Sequence, residues 1–320
     1  MNTKKIAILT SGGDAPGMNA CIRSIVRTAL KLDYECYFIY QGYYGLVNNN
    51  IKKATSFDVS GIINKGGTIL GASRLKEFTS PLIRKKGIEN LKNLGINNLI
   101  VIGGDGTYRG AEKLSEEGIN CIAIPGTIDN NINGTEYTIG FDTCMNTIVD
   151  SIDKIRDTSS SHNRCAIIET MGQFSGNLAL YSALVTGAEL VSIPEAKKTE
   201  EEIIQATLNS KSSHKNHCII VVSEHLYDVF ALANKVTEKT NITTRASVLG
   251  YIQRGGAPSF YDRKMAALFG EEAIFALEKN YSGVCVCLCK GEIVLKKISD
   301  ALAEKNQNID KILEKINYLS

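Results

Sequence analysis

Three glycine-rich stretches carry the side chains best suited to chemistry in this sequence, and all three suit phosphate. The first is Thr10-Ser11-Gly12-Gly13-Asp14-Ala15-Pro16-Gly17-Met18-Asn19, between an apolar run and a helical pattern through Arg23, Ile25, Val26 and Arg27. Glycines there let backbone N–H groups approach a phosphate, and the N-terminus of the following helix adds a favourable dipole. The spacing is neither GxGxxG nor a Walker A sequence, and a tight turn needing positive φ explains one glycine pair equally well. The second stretch, Gly103-Gly104-Asp105-Gly106-Thr107, combines glycines that clear space for phosphates, an aspartate able to bind Mg²⁺ directly or through water, and a threonine hydroxyl. The third is Pro125-Gly126-Thr127-Ile128-Asp129-Asn130-Asn131. Asp129 could take a proton from an attacking hydroxyl, and Thr127 could donate to a phosphoryl group in transfer. An Asx turn is the plain alternative for the third loop. Three such loops after three apolar runs outweigh the plain reading of each.

The elements that must position these loops follow from hydrophobic pattern. Strand candidates are Lys5–Leu9, Glu35–Tyr40, Asn98–Ile102, Cys121–Ile124, Cys165–Glu169, Leu190–Ile193, Cys218–Ser223 and Val284–Cys289. Most are continuous apolar runs, as parallel strands covered on both faces require. Helical patterns lie between them, the clearest over Phe141–Arg156, where Met145, Ile148, Val149, Ile152 and Ile155 form one stripe. The fold class is α/β, with helices on both sheet faces and ligands gathered at the carboxyl ends of the strands. The charged stretch Glu195–Glu202 reads as a solvated loop running into a helix.

At 320 residues the chain exceeds one ordinary core, so two domains of roughly 150 residues are expected. Hydrophobic residues at 43% and charged residues at 22% exclude disorder and collagen-like structure. Thirty-six basic against thirty-four acidic residues give a net charge of +2, which supplies no field for wrapping nucleic acid or coating an anionic membrane. No run approaches the ~18 apolar residues of a membrane span, and the apolar start Ile6–Leu9 is too short for a signal-peptide core. Nine scattered cysteines without a CxxC pair suggest a reducing cytoplasm. Cys285, Cys287 and Cys289 share one strand face and read as buried small hydrophobes, and His214 and His217 have no cysteine framework for zinc.

The strings TSGGDAPGMN, GGTILGASR, GGDGT, PGTIDN, YTIGFDT, IRDTSSSHNR, ETMG, VSEH and VLGYIQRGG stand in the order and at the spacing of the bacterial 6-phosphofructokinases, from about residue 4 to residue 290. The sequence resembles that family. The resemblance implies two Rossmann-like three-layer αβα domains with mainly parallel sheets and the active site in the cleft between them. Residues 1–140 plus 253–303 would form the nucleotide-binding domain, and 141–252 plus 304–320 the sugar-phosphate-binding domain. It implies transfer of the γ-phosphoryl of ATP, with Mg²⁺, to the 1-hydroxyl of fructose 6-phosphate. Asp129 would be the general base, Thr127 would contact the transferred group, and Gly13 and Arg74 would stabilise it in flight. Asp105 would handle Mg²⁺, while Gly13, Tyr43, Arg74, Leu75, Gly104, Asp105, Gly106, Thr107 and Gly110 would surround the nucleotide. Arg164, Arg245 and Arg254 match the phosphate-binding arginines, whose guanidinium forks suit a phosphate dianion. Met171, Gly172, Gln173, Glu224 and Tyr251 stand at further sugar-phosphate positions beside Thr127 and Asp129. Arg164 and Arg245 would come from a neighbouring subunit, which implies a homotetramer. Arg23, Arg27, Arg156, Glu189 and Lys215 match an effector site for ADP or GDP as activator and phosphoenolpyruvate as inhibitor.

The donor can be argued from size. Relatives that use pyrophosphate carry aspartate and lysine where this chain has Gly106 and Gly126, and glycine leaves room for a nucleotide α-phosphate. Several positions depart from the family. Asn131 replaces an aspartate, Gln173 an arginine and Tyr251 a histidine, while Ser56 and Ser213 stand where better-known members have arginine. Asn131 and Gln173 remove one charge of each sign, which points to mutual compensation. Two readings follow: a working enzyme with altered rate, or a catalytically weakened paralogue acting as a ligand-binding regulatory subunit. GGDG loops on α/β scaffolds also suit NAD kinases and lipid kinases, but the sugar-phosphate arginines and the TIDN loop argue against both.

Overall fold

The computed structural model describes residues 4–213, 215–304 and 309–319. His214 and the tail positions 305–308 and 320 of the expected second domain lie outside the described residues. In chain order the elements are β1 (Lys4–Ser11), α1 (Met18–Lys31), β2 (Tyr34–Ile39), α2 (Gly42–Val47), β3 (Ile51–Ala54), α3 (Pro81–Asn93), β4 (Asn98–Gly103), α4 (Asp105–Glu116) and β5 (Asn120–Pro125). There follow α5 (Phe141–Ser161), β6 (Arg164–Thr170), α6 (Asn177–Thr186), β7 (Leu190–Ser192), α7 (Glu200–Ser212), β8 (His217–Ser223), α8 (Val229–Thr240) and β9 (Thr244–Val248). The chain ends with α9 (Phe260–Glu278), β10 (Val284–Cys289), β11 (Glu292–Lys297), α10 (Ile298–Ala303) and α11 (Ile309–Leu319). Short 3₁₀ turns lie at Lys76–Thr79 and Gly250–Arg254.

The chain divides into two compact units, Met1–Thr143 with Arg254–Lys305 and Cys144–Gln253 with Asn306–Ser320. Side-chain hydrogen bonds explain why these limits differ by a few residues from those expected. Asp142 accepts from Ser259 Oγ at 2.5 Å and Thr143 N donates to Asp262 at 2.8 Å, which keeps both with the first unit. Gln253 is fully buried and accepts from Met171 N at 3.1 Å, which holds it to the second. Asn133 donates to the Glu304 carbonyl at 2.9 Å, which ties residue 304 to the first.

The first unit holds a seven-stranded sheet in the order β11-β10-β5-β4-β1-β2-β3, parallel except at the two edge strands. Ala7, Leu9, Leu99, Val101, Cys121 and Ala123 face a core completed by α3, α4 and α10. Their alternate neighbours Ile6, Ile8, Ile100, Ile102, Ile122 and Ile124 are buried on the other face, where α1 and α9 pack. Those two helices approach closely: Ser24 Oγ donates to Ala267 O at 2.6 Å, and a Cβ on Gly270 would lie 2.8 Å from Ser24 Cβ. The second unit holds a four-stranded parallel sheet, β7-β8-β6-β9. One face packs Cys165, Ile167, Ile220 and Val222 against Ile203 of α7 and Leu232 of α8.

Among the described residues eight strands stand within a residue or two of their expected places, and three further strands occur. β3, β9 and β11 are edge strands whose exposed lysines, arginine or glutamate break the apolar run that marks a covered strand. The Glu195–Glu202 stretch does run into a helix, through a capping box in which Thr199 Oγ1 accepts from Glu202 N and Glu202 accepts from Thr199 N. All nine cysteines are free, and all but Cys289 are buried. Among the described residues no helix is long and apolar enough to cross a membrane, and no group of three metal-ligating side chains is assembled.

Candidate active site

Strand register brings the three glycine-rich loops to one level. Ser11 pairs with Gly103, and Gly103 with Pro125, so adjacent parallel strands β1, β4 and β5 release their loops side by side, about 4.8 Å apart. Hydrogen bonds stitch the loops together. Thr107 Oγ1 donates to Ser11 O at 3.0 Å, and Gly126 N donates to Gly103 O at 3.0 Å. Gly12 (φ +87°) and Gly17 (φ +106°) are left-handed, which lets the first loop fold back onto α1.

The glycines divide into those that face open space and those that accommodate the protein. A Cβ on Gly106 would meet nothing within 4 Å, and one on Gly104 would only touch Thr127 at 3.6 Å. On Gly110 it would lie 2.5 Å from the Tyr43 ring, and on Gly126 2.8 Å from Ile102 and 3.3 Å from Met18. The size argument for the phosphoryl donor therefore applies to Gly106, while Gly126 is glycine because its Cβ direction points into the core. Tyr43 is itself buried, stacked on Phe78 at 4.1 Å, with its hydroxyl donating to Thr107 O at 2.6 Å. Its part is to hold the second loop from behind. The Thr107 hydroxyl is likewise spent within the protein, on Ser11 O.

Asp105 opens α4, and its exposed carboxylate is gripped by Arg109 one turn on, at 2.9 and 3.1 Å. Arg74 is exposed and Leu75 half-buried, in the segment just before the Lys76–Thr79 turn. That turn is anchored by Arg84, only 5% exposed, which donates to the carbonyls of Phe78 (3.0 Å) and Thr79 (2.7 Å) and to Glu117 (2.6 Å). In the third loop Thr127 Oγ1 accepts from Asp129 N at 3.2 Å, so the turn is closed by the threonine, and Asn130 is left-handed at φ +45°. Asn131 is half-buried. Arg254 lies in this unit: its Nη2 donates to Asp14 at 2.5 Å, and a Cβ on Gly13 would be 3.1 Å from the same nitrogen.

In the second unit, Met171–Gln173 and Glu224 leave the carboxyl ends of neighbouring strands β6 and β8, where Thr170 pairs with Ser223. Glu224 Oε1 accepts from Gly172 N (3.1 Å) and Gln173 N (2.7 Å), and both residues have positive φ. The carboxylate thus fixes the backbone of this turn whatever side chain stands at 173. Glu169 lies beneath it, and burial, followed by the Glu224 charge, raises its pKa. Tyr251 is 79% exposed. Arg164 and Arg245 are not assembled with these residues. Arg164 begins β6 and Arg245 pairs with Ala166, so both lie toward the amino end of the sheet. From Arg164 to Thr170 the strand runs ~20 Å, beyond the reach of any side chain.

The effector candidates fall in both units. Arg23 and Arg27 lie on α1, with Arg27 donating to Ser56 O at 3.2 Å. In the second unit Lys215 pairs with Glu189 at 3.0 Å, Glu189 also accepts from Ile219 N at 2.6 Å, and Arg156 donates to Thr186 O and Asp153. Sequence reasoning gave no role to Asp14, Arg84, Gln253 or Asp262. The acidic residue inside the first glycine loop was a visible signal for Asp14; the others matter through long-range packing that local pattern does not carry.

Aligned glycine loops at the carboxyl ends of a parallel sheet, with a helix N-terminus, an aspartate and an arginine beside them, define a phosphate-handling α/β protein. The sequence profile described as Phosphofructokinase matches residues 5–277. The chain is 49% identical over 317 residues to an ATP-dependent 6-phosphofructokinase of Macrococcus caseolyticus, covering 99% of each, and 48% identical over 303 residues to one of Bacillus cytotoxicus, covering 95% of each. A crystal structure of Pichia pastoris phosphofructokinase in the T-state is similar with a TM-score of 0.89 at 30% identity, over 99% of this chain and 37% of that longer one. The chain belongs to the phosphofructokinase family.

Proposed function

We propose that the chain is a working ATP-dependent 6-phosphofructokinase, which moves the γ-phosphoryl of ATP to the 1-hydroxyl of fructose 6-phosphate. The observation that carries this reading is the common level of the three loops, Ser11 with Gly103 with Pro125, so that the loops bearing Gly13, Asp105 and Asp129 leave adjacent strands side by side. In this account the nucleotide lies along the first unit over Gly13, Gly104 and Gly106, within reach of Arg74 and Leu75, with Tyr43, Thr107 and Gly110 shaping the wall behind it. Asp129 accepts the proton of the 1-hydroxyl as that oxygen attacks. Thr127, Gly13 N–H and Arg74 hold the transferring oxygens, where developing charge makes such donors most effective.

Asp105 fits a Mg²⁺ ion that arrives with the nucleotide. Mg²⁺ keeps most of its waters and needs only one or two carboxylates besides phosphate oxygens, which agrees with one exposed carboxylate and no assembled ligand cluster among the described residues. Asp105 would hold the ion, which would supply positive charge against the phosphates of the nucleotide. Arg109, which holds both Asp105 oxygens, would compete with the ion for them.

Fructose 6-phosphate is assigned to Met171, Gly172, Gln173, Glu224 and Tyr251, and Arg254 is assigned as a phosphate-binding arginine. Arg164 and Arg245 serve the site of a neighbouring copy, because strand length separates them from Glu224 of their own chain. A homotetramer is the assembly in which we place them. Arg23, Arg27, Arg156, Glu189 and Lys215 are assigned to an effector site for ADP or GDP and phosphoenolpyruvate, and the uniformly free cysteines suit a reducing cytoplasm.

The test is product analysis by phosphorus NMR on purified protein with ATP, Mg²⁺ and fructose 6-phosphate. Fructose 1,6-bisphosphate is expected, with no phosphorylation of NAD or diacylglycerol. Background turnover with ligands still binding by calorimetry would refute the reading.

A further inference from the structure

Asp262 is a carboxylate with no exposure to solvent, in the first turn of α9. It accepts four hydrogen bonds: from the Tyr137 hydroxyl (2.5 Å) and Gly140 N (2.5 Å) on one oxygen, and from Thr143 N (2.8 Å) and Thr143 Oγ1 (2.5 Å) on the other. All four donors are uncharged. The opening turn of α5 supplies two of them, and its dipole favours a negative charge there.

The segment held by the first oxygen is the one that braces the third glycine loop. Thr138 Oγ1 donates to Thr127 O at 2.6 Å, Ile139 N donates to Pro125 O at 2.9 Å, and Ile139 bridges Gly126 in parallel. The first loop is seated on the same cluster. A Cβ on Gly17 would lie 2.6 Å from Ile139 and 3.5 Å from Asp262, and one on Gly140 would lie 2.6 Å from Ala15. Two glycine loops and the start of α5 are therefore referenced to one buried carboxylate.

We infer that Asp262 is a positioning residue for Thr127 and Asp129, acting through Tyr137 and Gly140 without touching either reactant. The kinetic part of this inference rests on the function proposed above. Displacement of a reacting group by about 1 Å costs up to ~100-fold in rate, whereas the binding of each substrate rests mainly on other contacts.

Three variants separate positioning from bulk stability. Asp262→Asn keeps the shape but turns one acceptor into a donor that faces donors. Tyr137→Phe removes the loop-side donor to Asp262 together with a 3.3 Å acceptor for Asp142 N, and Thr143→Val removes a helix-side donor together with a 2.9 Å acceptor for Ser259 N. At temperatures where each is fully folded, Asp262→Asn and Tyr137→Phe are expected to lower kcat by about 10- to 100-fold with KM for both substrates within about twofold, and Thr143→Val to leave kcat near wild type. Equal loss of kcat in Tyr137→Phe and Thr143→Val, or none in any variant, would overturn the inference. Amide hydrogen exchange gives a readout that needs no turnover: residues 126–131 should exchange about tenfold faster in Tyr137→Phe than in wild type, and unchanged in Thr143→Val. Unaltered exchange of that loop in Tyr137→Phe sinks the positioning role even in a protein without kinase activity, while faster exchange in a protein without turnover sinks only the enzymatic reading.

Discussion

If the arginines that begin β6 and β9 act on a neighbouring copy's substrate, two inactive chains should repair one another. Arg164 and Glu224 lie at opposite ends of neighbouring strands β6 and β8, ~20 Å apart along the strand direction, so one copy cannot bring both to one ligand. A charge-assisted hydrogen bond to phosphate contributes about 1.5–3 kcal/mol, so removal of either arginine should raise KM for fructose 6-phosphate about 10- to 150-fold. A chain carrying Arg164→Ser with Arg245→Ser, and a second carrying Asp129→Asn, should each be nearly inactive alone at moderate substrate. Co-expressed in equal amounts, half of the pairs across a two-fold interface are mixed. Each mixed pair has one intact site of two, so about one quarter of wild-type activity should return. The assay is turnover of doubly tagged, purified heteromers against the two parents. Activity no higher than the sum of the parents would refute the shared site and, with it, the reason for assembly.

Other expectations are independent of that one. Gly106→Ala adds a methyl group into open space within α4, so stability to urea should hold or rise by up to ~1 kcal/mol while KM for ATP increases; an unchanged KM would show that the space is not the nucleotide's. Glu169 has a folded-state pKa raised by burial and by Glu224, so its charge costs the folded state at neutral pH but not below the ordinary carboxylate range. Glu169→Gln should therefore be more stable than wild type at pH 7 and converge with it on acidification, and a gap that widens toward low pH would contradict this. Asn131→Asp and Gln173→Arg, made singly and together, should affect kcat/KM non-additively, and strict additivity would remove the idea of compensation. Serines at 56 and 213 leave the effector region short of guanidinium groups, so ADP and phosphoenolpyruvate should shift the fructose 6-phosphate saturation curve only weakly; a large shift would show that the remaining residues suffice.

Covered strands were legible because burial on both faces writes a continuous apolar run, as in Ile6–Leu9 and Ile219–Val222. Ile51–Ala54 and Glu292–Lys297 were not, because an edge strand half in water reads like a loop. The three loops were legible as phosphate chemistry, yet their glycines conceal two different reasons. Gly106 borders open space, whereas Gly110 and Gly126 make way for Tyr43 and Ile102, residues distant in sequence. Polar residues that work through burial were opaque for the same cause. Asp262 draws its four donors from 119 to 125 positions away, and Arg84 binds Glu117 across 33.

The central claim is that this chain runs phosphoryl transfer with Asp129 as the base. Its most direct test is the single-turnover rate of Asp129→Asn with saturating ATP, Mg²⁺ and fructose 6-phosphate, beside calorimetric binding of both substrates. The account expects the rate to fall by about 10²- to 10⁴-fold while both affinities stay within a few-fold of wild type. A variant that transfers phosphate at the wild-type rate would contradict it.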